Sequence, residues 1–142
     1  VQDWDTVAED PESWQIVSRR QPTDSEYQAL RFAWKTVAVM NSNAIAICGS
    51  DRSLGLGLGQ TSRIDSTSIA VMKAAKYGHS LQGAVCASDG FFPFRDSVDE
   101  LHRHGIVAVI QPGGSRGDAE VIKACDELGI SLIFTGVRHF KH

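Results

Sequence analysis

Cysteine is scarce in this sequence and never occurs in close pairs. The 142 residues contain three cysteines, Cys48, Cys86 and Cys125, and no C-x-x-C pattern. A cysteine zinc site is therefore not expected. Cys48 and Cys86 lie in apolar stretches typical of strands, and Cys125 lies in a helical pattern. We predict three buried thiols in a reducing compartment, with the cytoplasm as the expected location.

Blocks of positive charge and long apolar runs are also missing. The formal net charge is −3 and no lysine–arginine block occurs, so a nucleic acid is not expected as the main partner. No apolar run approaches the roughly 20 residues of a membrane span, and no signal peptide opens the chain. We therefore expect no membrane association. Hydrophobic residues make up 42% of the chain and charged residues 22%, which predicts a folded domain with one core.

Hydrophobic periodicity predicts alternating helices and strands after an irregular polar arm over residues 1–22. Thr23 or Asp24 would cap the first helix, and Glu26 would place negative charge in its first turn. The full order is α-β-β-α-β-α-β-α-β, with the first two strands forming a hairpin. We predict an α/β fold with a mixed five-stranded sheet, largely parallel in its second half, and helices on both faces.

The stretch LGLGLG (54–59) resembles a dinucleotide-binding loop. Its glycines, however, alternate within a predicted strand, and no helix starts on them. Glycine inside a strand more often marks a bulge or the close approach of another backbone. Both alternatives stay open at this point, and a dinucleotide-binding loop is the less expected one.

Four loops are expected where strands lead into helices or into the end of the chain, the edge at which ligands bind in such sheets. They are GQTSRID (59–65), SDGFFPFRD (88–96), QPGGSRGD (111–118) and TGVRHFKH (135–142). In the third loop, the backbone N–H groups of Gly113, Gly114 and Ser115 could bind an anion at a helix N-terminus. The alternative is that Gly-Gly forms only a tight turn.

Three phenylalanine rings fall within four positions of the second loop. Burial of one ring in the core is expected. Pro93 restricts Phe92 to an extended conformation and turns adjacent rings to different sides. Some aromatic surface should then remain open to a flat ligand, and Asp96 could add directional hydrogen bonds.

The histidines do not form a recognisable ligand pair. His102 and His104 are two positions apart on a predicted helix and face different ways. His139 and His142 belong either to a simple tail or to a docked C-terminus, which the adjacent apolar strand favours.

Several stretches together resemble one family. They are SRRQPT, WKTVAVMNSNAI, GLGLGQTSRIDS, SDGFFPFRDSVD, IQPGGSRGDAEVI, ACDELGI and FTGVRHFKH. In this order they resemble the transformylase portion of the AICAR transformylase/IMP cyclohydrolase family. The resemblance implies a three-layer α-β-α, cytidine-deaminase-like subdomain over residues 23–142, the second of two. Residues 1–22 would continue from a preceding subdomain that is missing here.

The resemblance also implies a reaction. A formyl group would pass from the co-substrate 10-formyltetrahydrofolate to the 5-amino group of AICAR, without a metal. The family's Lys-His proton-transfer pair has no counterpart here, since KYGHS (76–80) lacks the motif. We therefore expect a C-terminal half that is inactive alone, needs the N-terminal half of the transformylase, and forms a homodimer in its parent enzyme.

Two other functions compete with this one. The chain could be a standalone, non-catalytic domain that binds folate or an aminoimidazole ribotide. An authentic deaminase is suggested by the element order alone, but it would need zinc ligands and a nearby glutamate that the sequence does not offer.

The resemblance implies catalytic residues and AICAR-binding residues. Asn43 would hydrogen-bond the transferring formyl group, and His142 would support the catalytic groups. Arg63 would contact AICAR, Phe91 would offer its backbone to the carboxamide, and Arg138 would bind the phosphate through its guanidinium.

The resemblance also implies a set of residues around the folate. Rings and loop atoms would line the pterin pocket, and one carboxylate would bind its polar edge. The set is Ile64, Phe92, Pro93, Phe94, Asp96 and Gly113.

Overall fold

The first helix, α1 (Asp24–Ala38), begins where its capping residues predict. The computed structural model describes residues 13–49 and 52–136. The Thr23 hydroxyl accepts a hydrogen bond from the Glu26 N–H at 3.2 Å, and the Glu26 carboxylate accepts one from the Thr23 N–H at 3.0 Å. This reciprocal pair satisfies N–H groups that a helix start otherwise leaves unbonded. Thr23 is therefore the N-cap.

Six strands form one mixed sheet with the order β1-β6-β5-β4-β2-β3. The strands are β1 (Gln15–Ile16), β2 (Ile45–Cys48), β3 (Ser53–Gly57), β4 (Val85–Ser88), β5 (Ala108–Gln111) and β6 (Ser131–Phe134). The predicted hairpin is confirmed, since β2 and β3 are antiparallel, and β4, β5 and β6 are parallel. β2 runs antiparallel to β4 and joins the two halves.

The sheet has one strand more than the sequence predicts. β1 lies in the arm that was expected to be irregular, and it pairs antiparallel with β6. It has only two residues, both with exposed side chains, so it carries no hydrophobic alternation that could reveal it. Trp14, just before β1, packs edge-to-face on Tyr27 and Trp34. The end of the arm is therefore fixed to the sheet and to α1.

Helices cover both faces of the sheet, which confirms the α-β-α layers. Helix α1 packs on one face around Trp34, which is fully buried. Helices α2 (Arg63–Lys76), α3 (Asp96–Arg103) and α4 (Asp118–Leu128) cover the other face. Side chains alternate between the faces along a strand. All four positions of a central strand such as β2 are therefore buried.

The glycines of LGLGLG allow α2 to lie directly on β3. A Cβ atom added at Gly55 would lie 2.0 Å from the carbonyl oxygen of Ala70. One added at Gly57 would lie 1.9 Å from that of Ser66. Any side chain at these positions would push the helix away, so the close approach is the alternative that holds for these two glycines.

The three cysteines are free and buried, as predicted. Burial raises the pKa of the Cys48 and Cys125 thiols to about 12 and also raises the pKa of Cys86. Because the thiolate is the reactive form, these thiols act as small core residues.

Among the described residues, no helix combines the length and the apolar character needed to cross a membrane.

Candidate active site at the carboxyl edge of the sheet

The first three of the loops expected to carry the site meet at one edge of the sheet. Ser88, at the end of β4, pairs with Ile45, at the start of β2, and Ile45 pairs with Gly57, at the end of β3. The segment before β2 and the segment after β3 therefore lie beside the loop that follows β4. Gln111 ends the parallel neighbour β5 at the same edge. We call this edge the carboxyl edge.

Asp89, directly after β4, is the central buried group of this edge. Its side chain is only 1% exposed. Its carboxylate accepts hydrogen bonds from the Ser42 hydroxyl at 2.6 Å and from the Ala44 N–H at 3.1 Å, and it forms an ion pair with Arg63. A buried carboxylate needs such partners to offset its lost hydration. Asp89 thus connects segments that are far apart in the sequence.

Arg63, the first residue of α2, points back to the sheet. Its side chain is 9% exposed, and a Cβ atom added at Gly90 would lie 2.4 Å from its Nη2 atom. A cation at a helix start opposes the helix dipole, and the Asp89 carboxylate offsets that effect. Ile64, the next residue, is half-buried.

Asn43 lies between the two residues that donate to Asp89. Its Nδ2 donates to the carbonyl oxygen of Gln60 at 3.0 Å, and its own carbonyl oxygen accepts from the Ser66 hydroxyl at 2.6 Å. Asn43 is half-buried. The loop after β3 thus holds the side chain of Asn43, and the first turn of α2 holds its backbone carbonyl oxygen.

The aromatic loop divides its rings between core and surface. Phe92 is fully buried, whereas the Phe94 side chain is 62% exposed. Phe91 is half-buried and Pro93 is exposed. The burial of Phe92 favours the core alternative for this ring, so its expected place beside the pterin is not available in this conformation. The exposed aromatic surface is that of Phe94.

Gln111 holds the backbone of this loop. Its Oε1 atom accepts from the Phe92 N–H at 2.6 Å. Its Nε2 atom is buried without a hydrogen-bond partner among the described residues. A reversed Gln111 amide would leave the buried Phe92 N–H without an acceptor, which is costly. The bond to Phe92 therefore sets the orientation of the Gln111 side chain.

Asp96 starts α3 and is exposed. Its Oδ1 atom accepts from the Ser97 N–H at 2.8 Å. A carboxylate has further acceptor positions, so a polar ligand edge could still bind beside Phe94.

The Gly-Gly-Ser loop corrects one expectation. The N–H groups of Gly114 and Ser115 donate to the carboxylate of Asp118, at 2.8 and 3.1 Å. These donors are therefore occupied by the chain's own carboxylate, and the tight-turn alternative holds. Gly113 is buried with φ +78°, and a Cβ atom there would lie 2.7 Å from the Phe134 ring. Its expected folate contact stays a prediction.

The histidines and Arg138 are not among the residues that the structure brings to this edge. Arg138, His139 and His142 fall outside the described residues, so their roles stay predictions. His102 and His104 are exposed, and the Nε2 atom of His104 lies 3.1 Å from the Oε2 atom of Glu100. Among the described residues, no group of three or more histidine, cysteine, aspartate or glutamate side chains could hold a metal ion.

Sequence reasoning missed Asp89 and Gln111. Both are polar residues at the ends of apolar strands, and both are completely buried. The signal was present in ASD (87–89) and VIQP (109–112), where a polar side chain ends a strand at the ligand-binding edge. Their partners, 19 to 47 positions away, cannot be inferred from local pattern.

The architecture of the chain is shared with known structures. It is similar to the apo dCMP deaminase of cyanophage S-TIM5, with a TM-score of 0.53 and 15% identity over 79% of this chain and 98% of that one. It is also similar to a diaminohydroxyphosphoribosylaminopyrimidine deaminase/5-amino-6-(5-phosphoribosylamino)uracil reductase from Thermotoga maritima, with a TM-score of 0.50 and 17% identity over 77% of this chain and 32% of that one. At such identities the likeness shows the fold alone. The fold is cytidine-deaminase-like.

The sequence comparison then gives the family. The model of the AICARFT/IMPCHase bienzyme matches residues 1–73, and the chain belongs to this family. Over all 142 residues it is 54% identical to the bifunctional purine biosynthesis protein PurH of Aquifex aeolicus (strain VF5), and it covers 28% of that protein. It is 52% identical to PurH of Streptococcus thermophilus (strain ATCC BAA-491 / LMD-9), of which it covers 27%. The chain thus spans little more than a quarter of these relatives.

Proposed function

We propose that this chain supplies the AICAR and folate contacts of a formyltransferase site in a bifunctional purine biosynthesis enzyme. One observation carries the proposal. Asn43, Arg63 and the loop from Phe91 to Asp96, which the family resemblance selects, meet at the carboxyl edge of the sheet around Asp89. Separate segments of the chain would then form one binding surface.

In the proposed reaction, the 5-amino group of AICAR attacks the formyl carbon of 10-formyltetrahydrofolate. A new bond forms between the amine nitrogen and the formyl carbon, the bond from that carbon to N10 breaks, and a proton moves from the amine to the leaving nitrogen. Negative charge develops on the formyl oxygen during attack. Asn43 donates one N–H to Gln60, and an amide has a second N–H that could bind this oxygen.

Arg63 would orient AICAR through the direction of its N–H groups more than through its positive charge. Its guanidinium is paired with a buried carboxylate, so the pair as a whole is neutral. A guanidinium has several N–H donors in a fixed plane, and the donors not used by Asp89 suit a neutral acceptor such as a carbonyl oxygen. The phosphate of AICAR would be bound by Arg138.

The folate would lie against the exposed end of the aromatic loop. Phe94 offers an open ring, Pro93 is exposed beside it, and Asp96 offers carboxylate oxygens at the start of α3. A flat pterin stacks well on such a ring. The buried Phe92, held by Gln111, would fix the base of the loop.

The proton-transfer pair must come from outside this chain. Positioned acid–base groups are worth ~10²–10⁴ in rate, so we propose that the chain alone turns over little or nothing. The N-terminal half of the transformylase would complete the site, in a homodimer. The three free buried thiols support a cytoplasmic location.

A second candidate is a non-catalytic domain that binds folate or an aminoimidazole ribotide. The open ring of Phe94 and the nearly buried Arg63 guanidinium would serve binding without catalysis equally well. It would use the same surface, so binding alone cannot separate the two functions.

A chimeric enzyme separates them. The matching segment of the Aquifex aeolicus relative is replaced by this chain, and formation of tetrahydrofolate from 10-formyltetrahydrofolate and AICAR is measured. We expect formyl transfer in the chimera and its loss in Arg63→Ala. Arg31→Ala, which changes an exposed arginine on α1, is the matched control and should remain active. A folded chimera that binds both ligands without transferring the formyl group would support the non-catalytic function instead.

A further inference from the structure

The carboxylate of Asp89 connects three separate segments of the carboxyl edge. It accepts hydrogen bonds from Ser42 and Ala44, just before β2, and it pairs with Arg63 at the start of α2. Its own N–H donates to the carbonyl oxygen of Ala44 at 3.1 Å. Asp89 itself begins the aromatic loop after β4.

Each of these segments carries a residue of the proposed site. Asn43 lies between Ser42, whose hydroxyl donates to Asp89, and Ala44, whose backbone N–H and carbonyl oxygen both bond to Asp89. Arg63 is held by the ion pair between its guanidinium and the Asp89 carboxylate. Phe91 follows Asp89 by two positions, with Gly90 packed under the Arg63 guanidinium.

We propose that Asp89 is a positioning residue that sets Asn43 and Arg63 in the geometry required to bind AICAR. This inference rests on the proposed function of the same edge. Asp89 acts through the two residues that it holds and need not touch AICAR, since its side chain is almost completely buried.

A purely structural role explains the arrangement less well. Buried ion pairs contribute little net stability, because desolvation of both charges offsets their attraction, and apolar residues often replace them without loss. The Asp89 pair, in contrast, fixes the direction of a guanidinium and of a backbone turn at the ligand-binding edge. Apolar residues could fill the same space, but they would fix the direction of neither the guanidinium nor the backbone turn.

The first test needs no ligand. In NMR spectra of the 142-residue chain, a guanidinium held by a carboxylate rotates slowly, so its Nη signals separate. We expect separate signals for Arg63 in the wild type, and merged signals together with shifted Asn43 and Ala44 amide signals in Asp89→Asn. Glu26→Gln, which breaks the Arg20–Glu26 pair at the other end of the sheet, should leave all of these unchanged.

The second test measures AICAR affinity by titration of the same variants. Asp89→Asn should weaken AICAR about tenfold, since the directed contacts of a charged donor are lost. Glu26→Gln should keep the wild-type affinity. In a double-mutant cycle, Arg63→Met with Asp89→Asn should lose less than the product of the two single losses, because Asp89 acts partly through Arg63.

Ser42→Ala serves if Asp89→Asn fails to fold. It removes the hydroxyl that donates to Asp89 and should shift the Asn43 and Ala44 signals and weaken AICAR by a smaller factor. Unchanged Arg63 signals and unchanged affinity in a folded Asp89→Asn, or full product losses in the cycle, would overturn the proposal. A folded chimeric enzyme that ignores millimolar AICAR would contradict the proposed function, while the ligand-free spectra would still decide whether Asp89 positions Arg63 and Asn43.

Discussion

The two ends of the sheet each carry an arginine–carboxylate pair, and the pairs differ in what they hold. At the end where the parallel strands begin, Arg20 binds both carboxylate oxygens of Glu26 at 2.8 Å. Arg20 also donates to the Ser131 hydroxyl at 2.7 Å and to the carbonyl oxygen of Val107 at 3.3 Å. This pair ties the start of α1 to the residue just before β5 and to the first residue of β6.

The pair at the carboxyl edge is buried more deeply. The side chains of Arg63 and Asp89 are 9% and 1% exposed, against 33% and 15% for Arg20 and Glu26. Partly exposed pairs are screened by water and contribute little when broken, whereas a buried charge left without its partner is costly. The same kind of ion pair thus joins secondary-structure elements at one end of the sheet and arranges a candidate site at the other.

The largest expected effect comes from Asp89→Ala. Removing the carboxylate leaves the Arg63 cation buried and unpaired, and the free energy of unfolding should fall by ~3–5 kcal/mol. Urea unfolding at neutral pH measures it. A loss below about 1 kcal/mol, the range of exposed pairs, would show that the two ends do not differ.

Glu26→Gln should have a smaller effect. The substitution removes the charge but keeps a side chain that can still accept from the Thr23 N–H. We expect a loss of about 1 kcal/mol in unfolding free energy and no change in AICAR affinity. A large loss of affinity in a folded Glu26→Gln protein would show that AICAR recognition is not confined to the carboxyl edge.

The pH dependence of stability tests the Arg20–Glu26 pair separately. The hydrogen bond from Arg20 lowers the pKa of Glu26, so its contribution to stability is fully present above the ordinary glutamate pKa of about 4.3. The contribution is lost as the pH falls through the lowered pKa of the folded state. The difference in Tm between the wild type and Glu26→Gln should therefore be constant near neutral pH and shrink in acid. A difference that grows in acid would contradict this sign.

Phe94→Ala should have the smallest effect on stability. The ring is mostly exposed, so the unfolding free energy should change by no more than about 0.5 kcal/mol, while folate affinity falls. Phe92→Ala is the opposite control, because it removes a buried ring and should reduce stability strongly. If Phe94→Ala lowers Tm markedly with unchanged folate binding, the ring belongs to the core.

Much of the fold could be predicted from the sequence because its signals are local. The Thr23–Glu26 cap, the β2–β3 hairpin and the alternating glycines beside α2 each follow from residues within a few positions. β1 was missed because two exposed residues carry no pattern. Its strand conformation depends on β6, more than a hundred positions away.

The site was predicted less completely for the same reason. Residue types and family resemblance indicated Asn43, Arg63 and the aromatic loop, but the groups that hold them, Asp89 and Gln111, act across long sequence separations. The Gly-Gly-Ser loop suggested an anion site, and only the structure showed that Asp118 occupies its donors.

An amide-resolved NMR titration of the chain with AICAR and then with a folate would locate both ligands on the structure. We predict that AICAR shifts the signals of residues 42–44, 63 and 89–91, that the folate shifts those of residues 64 and 94–96, and that the signals of Arg20, Glu26 and Ser131 stay in place. Shifts concentrated at Arg20 and Glu26 would contradict the placement of the site at the carboxyl edge.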